Sequence, residues 1–151
     1  RLAVGTGIRT SFVSVGLLLA VASIVVGNRL TDSGPINWGY YTPALLNEKL
    51  EEGDVVVLEF TAEWCLNCKL LEGTVLNDPV VAEILGSDGV SPIKIDLTGN
   101  NVSGNNLLNE VGGLRIPLLI IIGSHGEEVF RGDFYTVEQI VTAIKQAKEL
   151  D

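Results

Sequence analysis

Residues 59–72 read Glu-Phe-Thr-Ala-Glu-Trp-Cys-Leu-Asn-Cys-Lys-Leu-Leu-Glu, and they contain both cysteines of the chain, Cys65 and Cys68. The apolar run at 55–60 predicts a buried strand that leads into this pair, and the residues after it predict a helix. A thiol at the first turn of a helix lies near unpaired backbone N–H groups and the positive end of the helix dipole, which favour its thiolate. A second thiol one turn further on can form a disulfide with the first, so the spacing indicates thiol–disulfide exchange.

The cysteine pair has three possible interpretations: part of a zinc site, a redox pair, or two buried thiols. Tetrahedral zinc needs four ligands, usually Cys or His. The single histidine, His125, lies far along the chain in a predicted turn, so we expect no metal site. The strand before the pair and the helix after it favour the redox interpretation. In that case the cysteines carry the electrons themselves, and we expect no external cofactor.

The order of predicted elements indicates an α/β domain. Helices and strands alternate first and a hairpin comes last, which predicts a mixed sheet with helices on both faces. The predicted helices span 43–52, 65–76 with a bend near Gly73, 79–86 and 136–150, and the predicted strands span 55–60, 90–97, 116–122 and 127–131. Residues 98–106 are predicted to form a loop, followed by an amphipathic turn at 107–111.

A transmembrane helix is predicted at residues 11–27, an uncharged and mostly apolar segment near the lower length limit for spanning a bilayer. Arg1 and Arg9 precede it, and this positive bias favours a cytoplasmic N-terminus with the remainder outside. The alternatives are a lone anchor, a signal peptide cleaved near residues 20–22, and a buried soluble helix, which the lack of a polar face disfavours. Because the chain begins at Arg1 and contains no Met, we expect a fragment of a longer membrane protein.

These segments predict an N-terminal flank at 1–10, the transmembrane helix at 11–27, a linker at 28–42 that becomes ordered near Trp38, and a globular domain at 43–151. The net charge of −9 comes without a basic patch, so we expect no nucleic-acid partner. Two cysteines are too few for a structural disulfide framework. An export-directed segment would place them in an oxidising compartment.

Residues 60–69, Phe-Thr-Ala-Glu-Trp-Cys-Leu-Asn-Cys-Lys, resemble the active site of the thioredoxin superfamily. The Leu-Asn between the cysteines, the preceding Phe-Thr-Ala and Glu72 resemble one branch in particular. That branch is the C-terminal thioredoxin-like domain of the DsbD family of membrane thiol:disulfide interchange proteins. The resemblance covers roughly residues 36–150, and an apolar helix directly before such a domain also matches that family. It implies a thioredoxin-like fold.

The resemblance also implies roles for the cysteines and for two acids. Cys65, just after Trp64, would be the exposed nucleophile, and Cys68 would be the resolving thiol. Glu59 matches a buried acid beneath the cysteines, a carboxyl of raised pKa that takes the proton from Cys68; the alternative is a carboxylate at the rim or edge of the sheet. Glu72 matches an acid of the DsbD branch and would restrain thiolate formation; the alternative is a solvated helix face.

Two further positions are expected to bind substrate. Ile116-Pro117 resembles the cis-proline of the superfamily, where the Ile116 backbone would lie beside Cys65 and pair with a partner's extended chain. The alternative is a trans proline at the entry to a strand. Trp64 is expected to shape the surface around Cys65 rather than to react.

The expected function is a protein-disulfide reductase in the inner membrane, with its thioredoxin-like domain on the periplasmic side. By the same resemblance, Cys65 and Cys68 would receive electrons from a membrane domain and pass them to disulfide-bonded protein partners, with uses that include disulfide isomerisation and cytochrome c maturation. Two alternatives stay open. One is a stand-alone anchored thioredoxin-like protein, either an oxidant or a cytochrome c assembly reductase, and the other is a non-enzymatic binding module.

Overall fold

A computed structural model of the chain describes residues 34–149, and its sheet is built around a buried central strand. The strands are β1 (Gly39–Tyr40), β2 (Val55–Thr61), β3 (Val90–Asp96), β4 (Leu118–Ile122) and β5 (Glu128–Gly132). Their order across the sheet is β1-β3-β2-β4-β5. The first three are parallel, whereas β4 and β5 are antiparallel to their neighbours, so the mixed sheet is confirmed. All seven residues of β2 are buried, as its apolar run predicts.

Residues 34–149 also contain five α-helices, of which four lie between strands and the fifth follows β5, and their ends follow the capping residues of the sequence. They are α1 (Pro43–Glu51), α2 (Leu66–Leu71), α3 (Pro79–Leu85), α4 (Val102–Glu110) and α5 (Val137–Glu149). The Thr42 hydroxyl accepts a hydrogen bond from the Leu45 N–H at the start of α1. Before α5, Thr136 and Gln139 each accept a hydrogen bond from the other's backbone N–H. That reciprocal pattern is a capping box.

The sheet separates two hydrophobic clusters. Alternate residues of β2 point to opposite faces, so Val55 and Val57 join the cluster under α3 and α5. Val56, Leu58 and Phe60 join the other cluster, against which α1 and α4 pack. The prediction of helices on both faces is therefore confirmed. Both cysteines belong to the second cluster.

Two elements differ from the prediction in detail. The helix after the cysteines changes at Glu72 into a five-residue π-helix, Glu72–Leu76, where a bend near Gly73 was predicted. The predicted loop at 98–106 is wrong in its second half, because α4 already begins at Val102. The Asn101 side chain caps that helix, and Gly104 approaches β3 so closely that a Cβ would lie within 2.9 Å of Ile95.

The packed structure also includes part of the segment predicted as a linker. Ile36 is buried in the core, and Gly39 and Tyr40 pair with β3 as an edge strand. Within 34–149, no helix is long and apolar enough to cross a membrane. The flank at 1–10, the transmembrane helix predicted at 11–27 and the linker up to residue 33 lie outside the described residues.

Candidate active site

The two cysteines form a disulfide at the N-terminus of α2. Cys65 is the N-cap residue, and its Sγ accepts a hydrogen bond from the Cys68 N–H at 3.3 Å. Cys65 is 7% exposed and Cys68 is 2% exposed, so both are buried in the oxidised form and the prediction of an exposed Cys65 is wrong, although Cys65 is the more accessible of the two. In the reduced protein, the same N–H and the helix dipole would stabilise a Cys65 thiolate.

A buried carboxyl lies on the strand that leads into the cysteines. Glu59 is 2% exposed on β2, and its backbone pairs with Lys94 of β3. The Lys94 Nζ lies 3.3 Å from the Glu59 Oε2, but the contact lacks hydrogen-bond geometry and leaves that oxygen without a partner among the described residues. Burial raises the pKa of Glu59 to about 7 in the oxidised protein, although Lys94 opposes that rise. A carboxyl with such a pKa can take up and release a proton near neutral pH.

A second carboxylate shares the same lysine. Glu72 begins the π-helix four residues after Cys68, and its Oε1 lies 3.6 Å from the Lys94 Nζ. The Thr61 hydroxyl donates a 2.8 Å hydrogen bond to Glu72, and Lys69 donates another at 3.3 Å. Partial burial opposes the ionisation of Glu72, yet the Thr61 hydrogen bond and the charges of Lys94 and Lys69 outweigh it and lower its pKa. Glu72 is therefore the permanently charged member of the pair at neutral pH.

These side chains form a continuous series of charges, which we call the inner charge cluster: Glu59, Lys94, Glu72 and Lys69. Lys69 also contacts the exposed Glu63 at 3.0 Å, so the series runs from the core to the surface. Tyr135 closes the buried end: burial and the nearby carboxylates of Glu59 and Glu72 raise its pKa. It is 2% exposed.

Large apolar side chains are exposed beside Cys65 in the sequence, at Trp64 and Leu66, and in the loop after β5, at Phe134. Trp64 is 67% exposed, Leu66 83% and Phe134 73%, which is unusual for side chains of this size. We call this area, together with Ile116 and Pro117, the outer apolar surface. Exposed apolar groups that lie together mark an interaction site in many proteins.

The predicted cis-proline is confirmed, because the Ile116–Pro117 peptide bond is cis. Ile116 lies between two open grooves of the outer apolar surface. One groove, of about 450 Å³, also contacts Trp64, Leu97 and Leu108. The other, of about 380 Å³, also contacts Leu70, Pro117 and Phe134. The structure therefore brings Trp64 and Ile116 together in one groove, and Ile116 and Pro117 together in the other.

Sequence reasoning missed three residues of the site. Lys94 carried a readable signal, since it is a lone charge in the apolar part of β3, as Glu59 is in β2. Thr61 and Phe134 carried none, because a threonine in a strand and an aromatic residue in a loop are ordinary. In the described part of the chain, no group of three His, Cys, Asp or Glu side chains is arranged as metal ligands.

Three features define the class of the protein: the mixed sheet, the Cys65–Cys68 disulfide at a helix N-terminus, and the buried acid on the preceding strand. The chain is a thioredoxin-like thiol–disulfide oxidoreductase. More particularly, it is similar to DsbD proteins and to the DsbD C-terminal domain.

Known proteins of similar sequence and structure support this class. The thiol:disulfide interchange protein DsbD 2 of Pseudomonas aeruginosa is 36% identical over 90 residues, which cover 57% of this chain and 15% of that protein. The crystal structure of the reduced DsbD C-terminal domain of Neisseria meningitidis matches with a TM-score of 0.57 and 26% identity, over 72% of this chain and 99% of that domain. A DsbH oxidoreductase shares the fold, with a TM-score of 0.61 and 20% identity, over 77% of this chain and 86% of that one.

The chain spans about 15% of the length of the first curated relatives it matches. No protein-family model matches it.

Proposed function

We propose that the chain is an electron carrier that takes electrons from a membrane-embedded dithiol and passes them to disulfide-bonded proteins outside the cytoplasm. The observation that carries this proposal is the Cys65–Cys68 disulfide at the N-terminus of α2, together with the buried Glu59 on the strand that leads into it. The similarity to DsbD proteins supports thiol–disulfide exchange as the reaction, since those relatives are thiol:disulfide interchange proteins of much greater length.

The first half of the reaction occurs at Cys65. In the reduced protein its thiolate attacks one sulfur of the partner's disulfide, and a mixed disulfide forms as the partner's S–S bond breaks. The partner's second sulfur leaves as a thiolate and takes a proton from solvent. The outer apolar surface would bind the partner during this step, with an extended segment of its chain beside Ile116 and Pro117 and against Trp64.

The second half occurs at Cys68. Its thiol gives a proton to the ionised Glu59 carboxylate, and the resulting thiolate attacks the Cys65 sulfur. The mixed disulfide breaks, the partner leaves with both of its cysteines reduced, and the Cys65–Cys68 disulfide forms. Two electrons have then passed to the partner. A dithiol donor reverses these steps to reduce the pair again, so the reaction needs no external cofactor.

Glu72 would restrain the reaction between partners. It is ionised at neutral pH and follows Cys68 by four residues, about one helical turn. Its negative charge disfavours a second negative charge on the nearby sulfurs, and it also draws Lys94 away from Glu59. Both effects keep the reduced thiols protonated until a partner is bound.

The proposed location is the inner membrane, with residues 11–27 in the bilayer and the thioredoxin-like domain in the periplasm. This location matches the proposed direction of electron flow, because a dithiol in an oxidising compartment needs a supply of electrons.

Trapping of mixed disulfides tests the function. The full chain is prepared with Cys68→Ser or with Cys65→Ser, reduced, and mixed with a disulfide-bonded protein substrate. Since Cys65 attacks and Cys68 resolves, Cys68→Ser should accumulate a mixed disulfide on non-reducing gels, and Cys65→Ser should not. Equal trapping by both variants, or none by either, would contradict the proposed roles.

The reduction potential of the pair tests the direction. A value near −270 mV, typical of thioredoxin, fits an electron donor, whereas about −120 mV is typical of an oxidant. Thiol alkylation across a graded glutathione or dithiothreitol buffer measures it. An oxidant's potential would overturn the proposed direction while leaving the exchange reaction intact.

A further inference from the structure

The inner charge cluster has one member whose position needs explaining. The Lys94 ammonium lies 3.3 Å from Glu59 and 3.6 Å from Glu72, and the first contact lacks hydrogen-bond geometry while the second is too long for a hydrogen bond. Attraction between charges is weakly directional, and a lysine side chain has a flexible four-carbon stem. Electrostatics attracts this ammonium to both carboxylates but does not by itself fix the position of the side chain between them.

Trp38 supplies the missing constraint. The Lys94 ammonium lies 5.0 Å from the centroid of the Trp38 ring, within the distance of a cation–π contact. The ring packs against the hydrophobic cluster under α3 and α5. The chain next to it is tied to β3, since Gly39 pairs with Ile93 and the Tyr41 N–H donates to the Lys94 carbonyl at 3.0 Å. The position of the Trp38 ring is therefore fixed, and the ring lies on one side of the Lys94 ammonium.

We propose that Trp38 is a positioning residue of the redox site, whose ring holds the Lys94 ammonium between Glu59 and Glu72. Through this contact the segment that enters the domain acts on the proton acceptor of Cys68. The inference rests on the proposed role of Glu59 and goes beyond it, because Trp38 packs against the cluster under α3 and α5 and not against the cluster that contains the cysteines.

The consequence is a change in the pH dependence of the resolving step. Lys94 favours the ionised form of Glu59, whereas burial and the negative charge of Glu72 oppose it. Tyr135 also lies near Glu59, and Lys69 pairs with Glu72. Without the Trp38 ring, the ammonium is free to turn toward solvent. Glu59 then holds its proton to higher pH, so less of it is ready to accept the proton of Cys68.

The test measures the rate at which Cys68 resolves a preformed mixed disulfide with a small thiol, from pH 5 to 9, in the full chain. For Trp38→Leu we expect a higher pH midpoint and a roughly fivefold lower rate at pH 7, with the rate at pH 9 unchanged. Trp38→Phe keeps an aromatic face and should stay within about twofold of the unmodified protein. Tyr40→Leu, at an exposed aromatic residue of the same edge strand, is the matched control and should change neither value.

A double-mutant cycle with Lys94→Gln separates positioning from a general loss of structure. If Trp38 acts through Lys94, then Trp38→Leu should cause no further change in the Lys94→Gln background. A Trp38→Leu profile equal to that of the unmodified protein, or equal effects of Trp38→Leu with and without Lys94, would overturn the inference. Failure of the proposed function looks different, because then the unmodified protein itself would not resolve the mixed disulfide.

Discussion

The two sides of the Cys65–Cys68 disulfide differ in chemistry. On the inner side, the buried Glu59 and the half-buried Glu72 both lie in contact with the half-buried Lys94. On the outer side, Trp64 and Phe134 are large apolar groups left in solvent. Burying a carboxyl opposes folding, and leaving an aromatic ring exposed forgoes the stabilisation that its burial would give.

This difference assigns proton exchange to the inner side and partner binding to the outer side. A group that must exchange a proton near neutral pH needs a perturbed pKa, and burial among charges provides it. A surface that must accept an unfolded or extended partner needs apolar area that the partner can cover. We therefore expect changes on the inner side to alter pH dependence and changes on the outer side to alter partner binding.

The largest expected effect is on stability, from Glu59→Gln in the oxidised protein. The pKa of Glu59 is about 7 in the folded state against 4.5 for an unperturbed glutamate. The folded state thus binds this proton more tightly than the unfolded state. The stability linked to it is fully present below pH 4.5 and is lost as the pH rises to about 7. Removing the acid should remove that loss, which amounts to about 3 kcal/mol.

Urea unfolding of both proteins at pH 4 and pH 8 measures this effect. The gain in unfolding free energy of Glu59→Gln over the unmodified protein should be about 3 kcal/mol larger at pH 8 than at pH 4. A difference that does not change with pH would show that Glu59 titrates normally, and would remove the distinction between the inner side and an ordinary charged surface.

The next effect is on partner binding, from Phe134→Ala on the outer apolar surface. Loss of an exposed aromatic anchor should raise KM for a protein substrate about fivefold to tenfold, while kcat with a small disulfide stays unchanged. Steady-state reduction of both substrates measures the two values. Val80→Ala, an exposed apolar residue that contacts neither groove, is the control. Equal changes for the two substrates would mean that Phe134 affects the cysteines and not the partner.

The smallest effect concerns an ion pair away from both sides. Arg131 donates two hydrogen bonds to Glu128 on β5, at 2.8 and 2.6 Å, and both side chains are largely in solvent. Because exposed pairs contribute little, Arg131→Ala should change the unfolding free energy by about 0.5 kcal/mol or less and leave the pH profile of exchange unaltered. Thermal unfolding and the exchange assay check this. A loss comparable to that of the Glu59 experiment would contradict the contrast between buried and exposed charges.

Much of the fold was predictable because local signals agree with the final packing. The apolar run of β2, the capping box before α5 and the Cys-x-x-Cys spacing each have a local cause. The helix α4 was harder, since Gly104 and its asparagine neighbours are poor helix formers and the helix depends on its close contact with β3. Tertiary contact outweighs propensity there.

As with the fold, the parts of the site that have a local signal were predictable, and the contacts between distant residues were not. Glu59 and Glu72 follow from their spacing to the cysteines within the resemblance, and the cis bond at Pro117 follows from it as well. The contacts of Lys94 with Glu59, Glu72 and Trp38 join three separate elements and the entering segment. Contacts between residues distant in sequence have no signal in a single chain, so this part required the structure.

The most direct test of the central claim is the pH dependence of Cys68 resolution in the unmodified protein and in Glu59→Gln. If the inner side handles the proton of Cys68, the unmodified rate should rise through a midpoint near the pKa of Glu59, about 7, and the variant should lack this midpoint. We also expect the variant to resolve about a hundredfold more slowly at pH 8. Identical profiles for the two proteins would contradict the account, because Cys68 would then lose its proton without Glu59.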